Sequence, residues 1–196
     1  MFNFINDFMD FKKDILLIDL EFTGIEPGRH EIIQLAAVLL DKKTLKEKKA
    51  FDSYIKPKKW KQRDPESMKV NNISFDQVKD APSLAEVIAD FEKLFDPKKV
   101  ILSYYGGPLD MDFLRAAYKQ VKKPFLFDYH YFNLWGVFFA YMAVSGRLKD
   151  RKKFTGFSLD DFMEEFKLTS MSRHDALEDC RIEAEVLRRV IANIQI

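Results

Sequence analysis

Short apolar runs separated by polar segments mark the early part of the chain. The runs at residues 15–19, 32–40 and 50–55 have the length and composition of strands, and the first two are typical of buried strands. A turn rich in glycine and proline, residues 24–28, separates the first two runs. Because the connections are short, the pattern predicts an antiparallel meander of three strands.

Helical spacing replaces this pattern further along the chain. Apolar residues recur three and four positions apart within residues 84–95 and again within residues 110–121. A strand is predicted between them, at residues 100–104. Further helices are predicted at residues 130–144, at residues 158–167 and from Asp175 onward. Three strands, a helix, a strand, a helix, a short strand and further helices predict a mixed α/β sheet, in which parallel strands are added to the meander and helices cover both faces.

Composition and charge narrow the class of protein. The 196 residues, 47% of them hydrophobic and 32% charged, are typical of one folded domain. The net charge is only +1, so bulk attraction cannot be the main source of any binding to nucleic acid. One cysteine, Cys180, excludes a disulfide framework and a cysteine-rich zinc site, and we expect it to pack in the core.

The chain carries no pattern typical of export or membrane insertion. Its first residues lack a basic leader. The most apolar window, residues 131–145, is shorter than the roughly 20 residues that span a bilayer, so a buried helix is expected there. We therefore expect a cytoplasmic protein without membrane contact.

Acidic residues stand where predicted strands end and predicted helices begin. Asp19 and Glu21 lie two apart at the end of a strand, so both side chains leave it on the same face. Two adjacent carboxylates repel each other, and a bound cation removes the repulsion. Asp110 begins a helix, and Asp179 lies on the last helix. Taken alone, each acid also fits an exposed or helix-start position, and His174 fits a structural histidine.

The order and context of these residues resemble the three sequence motifs of the DEDDh 3′–5′ exonucleases, a family that includes proofreading exonucleases, RNase T and oligoribonucleases. The motifs are DLEFTGIEPGRHEIIQLAAVLLD, LSYYGGPLDMDFLRAA and SRHDALEDC. Weaker matches at FDSYIKP, NNISFDQVKDAPSLAEV and FSLDDFMEEFKL extend the resemblance from about Asp14 to the C-terminus. It implies a ribonuclease H-like fold, with residues 1–13 as an N-terminal extension and residues 14–196 as the exonuclease domain.

The resemblance also implies the roles of individual residues. It assigns the family's four acids to Asp19, Glu21, Asp110 and Asp179, and its histidine to His174. The Phe-Leu pair three residues after Asp110 fits the family's second motif and selects Asp110 over Asp112. One departure is Tyr105-Gly106, with Leu109 after it, where the family often has His-Asn and Phe. This departure leaves open how the penultimate nucleotide is held.

A set of oxygen ligands favours hard cations, so we expect two divalent ions, Mg²⁺ or Mn²⁺. Two such ions activate the attacking water and stabilise the leaving oxygen in phosphodiester hydrolysis. We expect Asp19 to contact both ions, Glu21 and Asp179 to contact one, and Asp110 to contact the other, directly or through water. His174 is expected to be the general base, because the pKa of imidazole, about 6.5, suits proton transfer at neutral pH.

The family's residues after the first motif hold the 3′-terminal nucleotide, and by resemblance these are Phe22, Thr23, Gly24 and Ile25. Phe22 either contacts the terminal nucleotide or packs in the core, and both interpretations remain. Basic residues occur at 56–63 around Trp60, at 147–153, and at Arg115 and Arg173. Each of these is either a substrate contact or an ordinary surface charge.

The leading hypothesis is a two-metal 3′–5′ exonuclease that acts on single-stranded nucleic acid, DNA before RNA, and releases nucleoside 5′-monophosphates. The alternatives are an exoribonuclease similar to RNase T or oligoribonuclease and a non-catalytic nucleic-acid-binding module. DNA and RNA differ at the 2′-position, and the sequence does not identify the residues that would contact it. By analogy a homodimer or an association with a polymerase is open, and Phe4, Phe8 and Phe11 would cover the domain or a partner.

Overall fold

A five-stranded mixed sheet forms the centre of the protein. The computed structural model describes residues 11–148, 158–169 and 175–194. The strands are β1 (Asp14–Phe22), β2 (Ile32–Leu40), β3 (Glu47–Tyr54), β4 (Val100–Tyr104) and β5 (Phe132–Asn133). Their order is β3-β2-β1-β4-β5, with β1, β2 and β3 antiparallel and β4 and β5 added in parallel to β1. The predicted meander with added parallel strands is confirmed.

Helices cover both faces of the sheet. In the described part of the chain they are α1 (Pro65–Asn71), α2 (Phe75–Val78), α3 (Leu84–Leu94), α4 (Leu109–Gln120), α5 (Leu134–Val144), α6 (Leu159–Phe166) and α7 (Ala176–Asn193). Apolar residues of α3 and α4 form one core with one face of the sheet, and those of α5, α6 and α7 form a second core with the other. The two-sided α/β prediction is therefore confirmed.

The alternation of side chains along β1 determines which helices each residue meets. Leu16 and Ile18 belong to the core shared with α3 and α4, whereas Ile15 and Leu17 belong to the core shared with α5, α6 and α7. Asp19 continues the second row at the end of the strand. Asp19 therefore lies on the same face of the sheet as Ile15 and Leu17, the face that α7 covers.

Some element boundaries differ from the prediction. β3 begins at Glu47 and not at residue 50, because pairing with β2 orders its charged first residues. Helix α5 begins at Leu134 and not at residue 130, since Asn133 caps it by accepting a hydrogen bond from the Gly136 N–H (2.9 Å). Helices α1 and α2 were not predicted. They depend on local caps, Asp64 for α1 and Ser74 for α2, more than on an apolar stripe.

The apolar segment at residues 131–145 and the start of the described chain both pack against the core. α5 contributes the buried residues Leu134, Phe138, Tyr141 and Met142 to the core, as predicted. No helix in the described ranges is long and apolar enough to cross a membrane. Phe11 packs edge-on against Phe132, with 6.1 Å between ring centroids, while Phe4 and Phe8 lie outside the described residues. Cys180 is a buried free cysteine in the core, as expected.

Candidate active site

Acidic residues from three elements meet at the carboxyl end of β1. Asp19 and Glu21 come from β1, Asp110 from the first turn of α4, and Asp179 from the first turn of α7. The backbone N–H of Leu20 donates a hydrogen bond to Oδ1 of Asp110 (3.2 Å), which ties the start of α4 to β1. The sheet therefore brings together residues that are far apart in the sequence.

The pKa values show that these carboxyls interact. Burial raises the pKa of Asp19 well above its ordinary value, and repulsion from Asp110 and Glu183 raises it further. Burial is also the main cause that raises the pKa of Glu21 to about 8, with repulsion from Asp179 next. The pKa of Asp110 is raised to about 7 by burial, although the hydrogen bond from Leu20 opposes the shift. The cluster is a partly buried concentration of negative charge.

The donor set fits hard divalent cations. Carboxylate oxygens are the ligands that Mg²⁺ and Mn²⁺ prefer, and a cation relieves the repulsion that raises these pKa values. Within residues 11–148, 158–169 and 175–194, no three His, Cys, Asp or Glu side chains are already arranged to hold a metal ion. Oδ1 of Asp110, for instance, faces the backbone of β1.

The remaining acids near the cluster are placed differently. Asp112, two residues after Asp110, is exposed on α4, whereas Asp110 is half-buried at the cluster. Asp175 caps α7 by accepting a hydrogen bond from the Glu178 N–H (3.0 Å). Arg173 and His174 directly precede this cap and lie outside the described residues. Their assigned roles therefore remain predictions from the sequence.

The four residues expected at the 3′-terminal nucleotide have contrasting environments. The Phe22 ring stacks on Phe113, with 4.0 Å between centroids, so it packs against the core of α4. Thr23 is buried, and its Oγ1 accepts a hydrogen bond from the Glu31 N–H (2.9 Å). Gly24 is also buried, whereas Ile25 is 68% exposed. Of the four side chains, that of Ile25 extends into solvent.

Three buried residues that the sequence analysis did not single out support this region. Asn71 donates from Nδ2 to the Phe22 carbonyl (2.9 Å). His30 accepts a hydrogen bond at Nδ1 from the Glu26 N–H (3.1 Å). Glu183, 2% exposed, lies close enough to Asp19 to raise its pKa. The available signal for Glu183 was its position one helical turn after Asp179. Asn71 and His30 carried no such pattern.

The basic clusters are divided between structural and solvent-facing positions. Lys59 donates from Nζ to the Gly28 carbonyl (2.9 Å), and the Arg63 guanidinium lies 5.2 Å from the Trp60 ring centroid. Arg115 lies over the Phe125 ring at 5.5 Å. Arg147 forms an ion pair with Glu165 (3.0 Å). Most of the second cluster, residues 149–153, lies outside the described ranges.

The Tyr105-Gly106 turn is held by the sheet. The Gly106 carbonyl accepts a hydrogen bond from Nδ2 of Asn133 (2.5 Å), and Gly106 has a φ of +88°, which favours glycine. The Tyr105 ring lies 6.1 Å from that of Phe138. Tyr105-Gly106, which stands where the family often has His-Asn, is therefore part of a turn that contacts β5 and α5.

Comparison with known sequences identifies relatives over nearly the whole chain. Residues 16–187 match the exonuclease family model named for RNase T. The DNA polymerase III subunit epsilon of Treponema pallidum is 26% identical over 175 residues, which cover 89% of this chain and 75% of that protein. The PolC-type DNA polymerase III of Thermotoga maritima is 24% identical over 176 residues, which cover 90% of this chain but only 12% of that protein.

Solved structures share the fold. The nuclease domain of 3′hExo, a DEDDh family member bound to rAMP, has a TM-score of 0.71 at 22% identity and covers 96% of this chain and 94% of that one. E. coli exonuclease I in complex with a dA16 oligonucleotide has a TM-score of 0.76 at 16% identity, over 93% of this chain and 41% of that one. The fold is therefore the ribonuclease H-like fold of these exonucleases. Because the family model matches most of its length, the chain belongs to the RNase T exonuclease family.

Proposed function

We propose that this chain uses divalent cations to hydrolyse single-stranded DNA from its 3′ end and releases nucleoside 5′-monophosphates. The observation that carries the proposal is the convergence of acids from β1, α4 and α7 around Asp19. Burial and mutual repulsion raise the pKa values of Asp19 and Glu21, so the site gains stability when a cation neutralises it.

Each acid has a proposed part in holding the cations. Asp19, Glu21, Asp110 and Asp179 would hold two Mg²⁺ or Mn²⁺ ions, Asp19 contacting both. When bound, such ions supply water activation and stabilisation of the leaving oxygen. The hydrogen bond from the Leu20 N–H to Asp110 supports this role, because it fixes the start of α4 relative to β1. His174 would take the proton from the attacking water at a ring nitrogen.

The loop after β1 would bind the 3′-terminal nucleotide. Its backbone is fixed from behind, because the Thr23 carbonyl accepts from the Asp64 N–H (2.7 Å) and the Phe22 carbonyl accepts from Asn71 (2.9 Å). Ile25 is exposed and would pack against the terminal base or sugar. A short fixed loop beside the carboxylates would accept a strand end, which is why we propose exonuclease and not endonuclease action.

DNA is the proposed substrate because the sequence relatives are subunits or forms of DNA polymerase III. RNA is the second candidate. A solved structure of a 3′-exonuclease that recognises the 3′ end of a histone mRNA stem-loop has a TM-score of 0.73 at 21% identity. Because of the same relatives we propose association with a polymerase, with a homodimer as the alternative. The proposed compartment is the cytoplasm. Size-exclusion chromatography of the purified chain tests the homodimer.

The decisive experiment follows single-stranded DNA and RNA of matched sequence, labelled at the 3′ or the 5′ end, with Mg²⁺, with Mn²⁺ and with chelator. Asp19→Asn, which keeps the side-chain shape, runs beside the wild type. We expect metal-dependent release of labelled mononucleotide from the 3′ end first, faster on DNA, and no release by the variant. Faster release from RNA would make the chain an exoribonuclease. Binding of both polymers without cleavage would favour the non-catalytic module.

A further inference from the structure

A cleft borders the β1–β2 loop, next to helices α3 and α4. Its volume is about 530 Å³, within the range of small-molecule sites. Apolar side chains of three segments line it: Ile55 after β3, Leu84 at the start of α3, and Phe113 and Ala116 on α4. The cleft therefore offers a partly apolar surface on the α3–α4 face of the sheet, and none of the four proposed metal ligands lines it.

Three lysines surround this apolar surface. Lys56 and Lys58 come from the basic cluster that follows β3, and Lys119 comes from the last turn of α4. Among the described residues, none of these three side chains forms an ion pair. The acid on the cleft wall is Glu31, whose carboxylate accepts hydrogen bonds from the backbone N–H groups of Lys58 (3.2 Å) and Lys59 (2.6 Å). Positive charge therefore exceeds negative charge around the cleft.

The cleft shares a wall with the candidate active site. Phe113 lines the cleft, and its ring stacks on Phe22, the residue directly after Glu21. His30 also lines the cleft, and its ring lies against Gly24. The loop proposed to hold the 3′-terminal nucleotide thus borders both the carboxylates and this cationic cleft.

We propose that the cleft is a second nucleotide-binding site, which takes a nucleoside 5′-monophosphate. The phosphate, close to a dianion at neutral pH, would lie between Lys58 and Lys119, and the base would lie on the apolar surface near Ala116. The choice of a nucleotide rests on the proposed function, because a nucleoside 5′-monophosphate is that reaction's product. A nucleotide in the cleft contacts the back of the substrate loop, so product accumulation would slow the enzyme from this site.

Binding is measured without turnover, by following the backbone amide NMR signals of the full chain in chelator while dAMP, AMP or inorganic phosphate is added. We expect saturable shifts at Gly28, Ala116 and Gln120 with either nucleotide, and weaker ones with phosphate alone. The double variant Lys58→Ala/Lys119→Ala should raise the Kd of dAMP by about tenfold or more, because it removes two charge-assisted contacts. Both lysines are exposed, so the fold should be unaffected.

The matched control is Lys43→Ala/Lys98→Ala, which removes the same charge from two exposed lysines at the other end of the sheet. It should leave the Kd unchanged within about twofold, since distant surface charges are screened by salt. Equal effects of the two double variants would overturn the proposal, as would shifts confined to the carboxylate side. If a thymidine tetranucleotide shifts these amides and dAMP does not, the cleft holds a strand and the mononucleotide site is refuted. Because no hydrolysis is measured, these outcomes are separate from failure of the proposed exonuclease activity.

Discussion

Asp110 and Asp112 provide a matched pair of acids at the start of α4. Asp110 accepts from the Leu20 N–H and lies in the cluster, whereas Asp112 is exposed. Asp110→Asn should lower kcat by about 100-fold or more, because it removes a proposed metal ligand. Asp112→Asn should change kcat by less than about twofold, because substitutions of exposed residues outside a functional site usually have small effects. Steady-state release of 3′-terminal nucleotide measures both. Similar losses in the two variants would show that Asp110 has no special role.

His174 is the residue whose role the sequence alone predicts. His174→Ala should lower turnover severely while Mn²⁺ binding, measured by calorimetry, is retained, because the imidazole would move a proton and would not hold the ion. In the wild type, activity should rise between about pH 6 and pH 8 as the ring loses its proton. Turnover that is unchanged in the variant would remove His174 from the mechanism.

Residues of the candidate site differ in how far the sequence could predict them. Asp19 and Glu21 follow a recognisable strand within a motif, so their positions could be anticipated. Glu183 was harder to anticipate, because a glutamate on a long charged helix is ordinarily exposed, and it is the packing of α7 against β1 that buries it. Asn71 also depends on tertiary structure, since its bond to the Phe22 carbonyl joins residues 49 positions apart.

The β1–β2 loop is the element whose shape most directly affects the proposed terminal-nucleotide site. A β-carbon added at Gly24 would lie 2.5 Å from ring atoms of His30, closer than van der Waals contact allows. Gly24→Ala should therefore displace the loop and raise KM severalfold, with kcat less affected. Kinetics with a short single-stranded DNA measure this change.

A second substitution tests whether the raised KM of Gly24→Ala comes from a steric clash with His30 or from the loss of glycine's backbone flexibility. His30→Ala removes the ring that the new methyl group would strike, so Gly24→Ala/His30→Ala should have a lower KM than the sum of the two single effects implies. Contacting residues are expected to show such non-additivity. Strictly additive effects would mean that the His30 ring does not determine the loop's position.

At the scale of elements, hydrophobic periodicity correctly predicted the strands and helices that bury apolar residues at regular intervals. β1, β2, β4, α3 and α4 bury apolar residues in regular patterns, and each was anticipated close to its observed position. Helices α1 and α2 were missed because few of their residues are buried and local hydrogen bonds at Asp64 and Ser74 begin them. The start of β3 was missed because Glu47 to Lys49 are exposed charges on an edge strand, ordered by pairing with β2.

At the scale of the whole molecule, the net charge is only +1, but negative and positive charges are concentrated in different regions. Buried carboxyls gather at the end of β1, while Lys56, Lys58 and Lys119 surround the cleft behind the substrate loop. Over the whole chain, 32 lysines and arginines nearly balance 31 aspartates and glutamates. Attraction of a polyanion must therefore come from local fields, and two divalent cations in the carboxylate cluster would neutralise the charge of its four proposed ligands.

The acid cluster also makes stability depend on pH in a direction opposite to that of ordinary carboxylates. The folded-state pKa values of Glu21, about 8, and Asp110, about 7, exceed the values of the unfolded chain, near 4. Between these limits the folded state binds more protons than the unfolded state, so the cluster's contribution to stability falls as pH rises. In chelator, the Tm of Glu21→Gln should therefore be higher than that of the wild type, and the difference should grow from about pH 5 to about pH 8.

Thermal unfolding with and without divalent cation completes this test. Glu26→Gln, which alters an exposed acid five residues away, serves as the control and should follow the wild type at every pH. At about pH 8, adding Mn²⁺ should raise the Tm of the wild type and of Glu26→Gln, because a ligand bound only by the folded state stabilises it. Glu21→Gln should gain much less, since it lacks one proposed ligand. A Tm difference between Glu21→Gln and the wild type that stays constant with pH would mean that Glu21 is fully ionised in the folded protein. The repulsion that makes this edge of the sheet a cation site would then be absent.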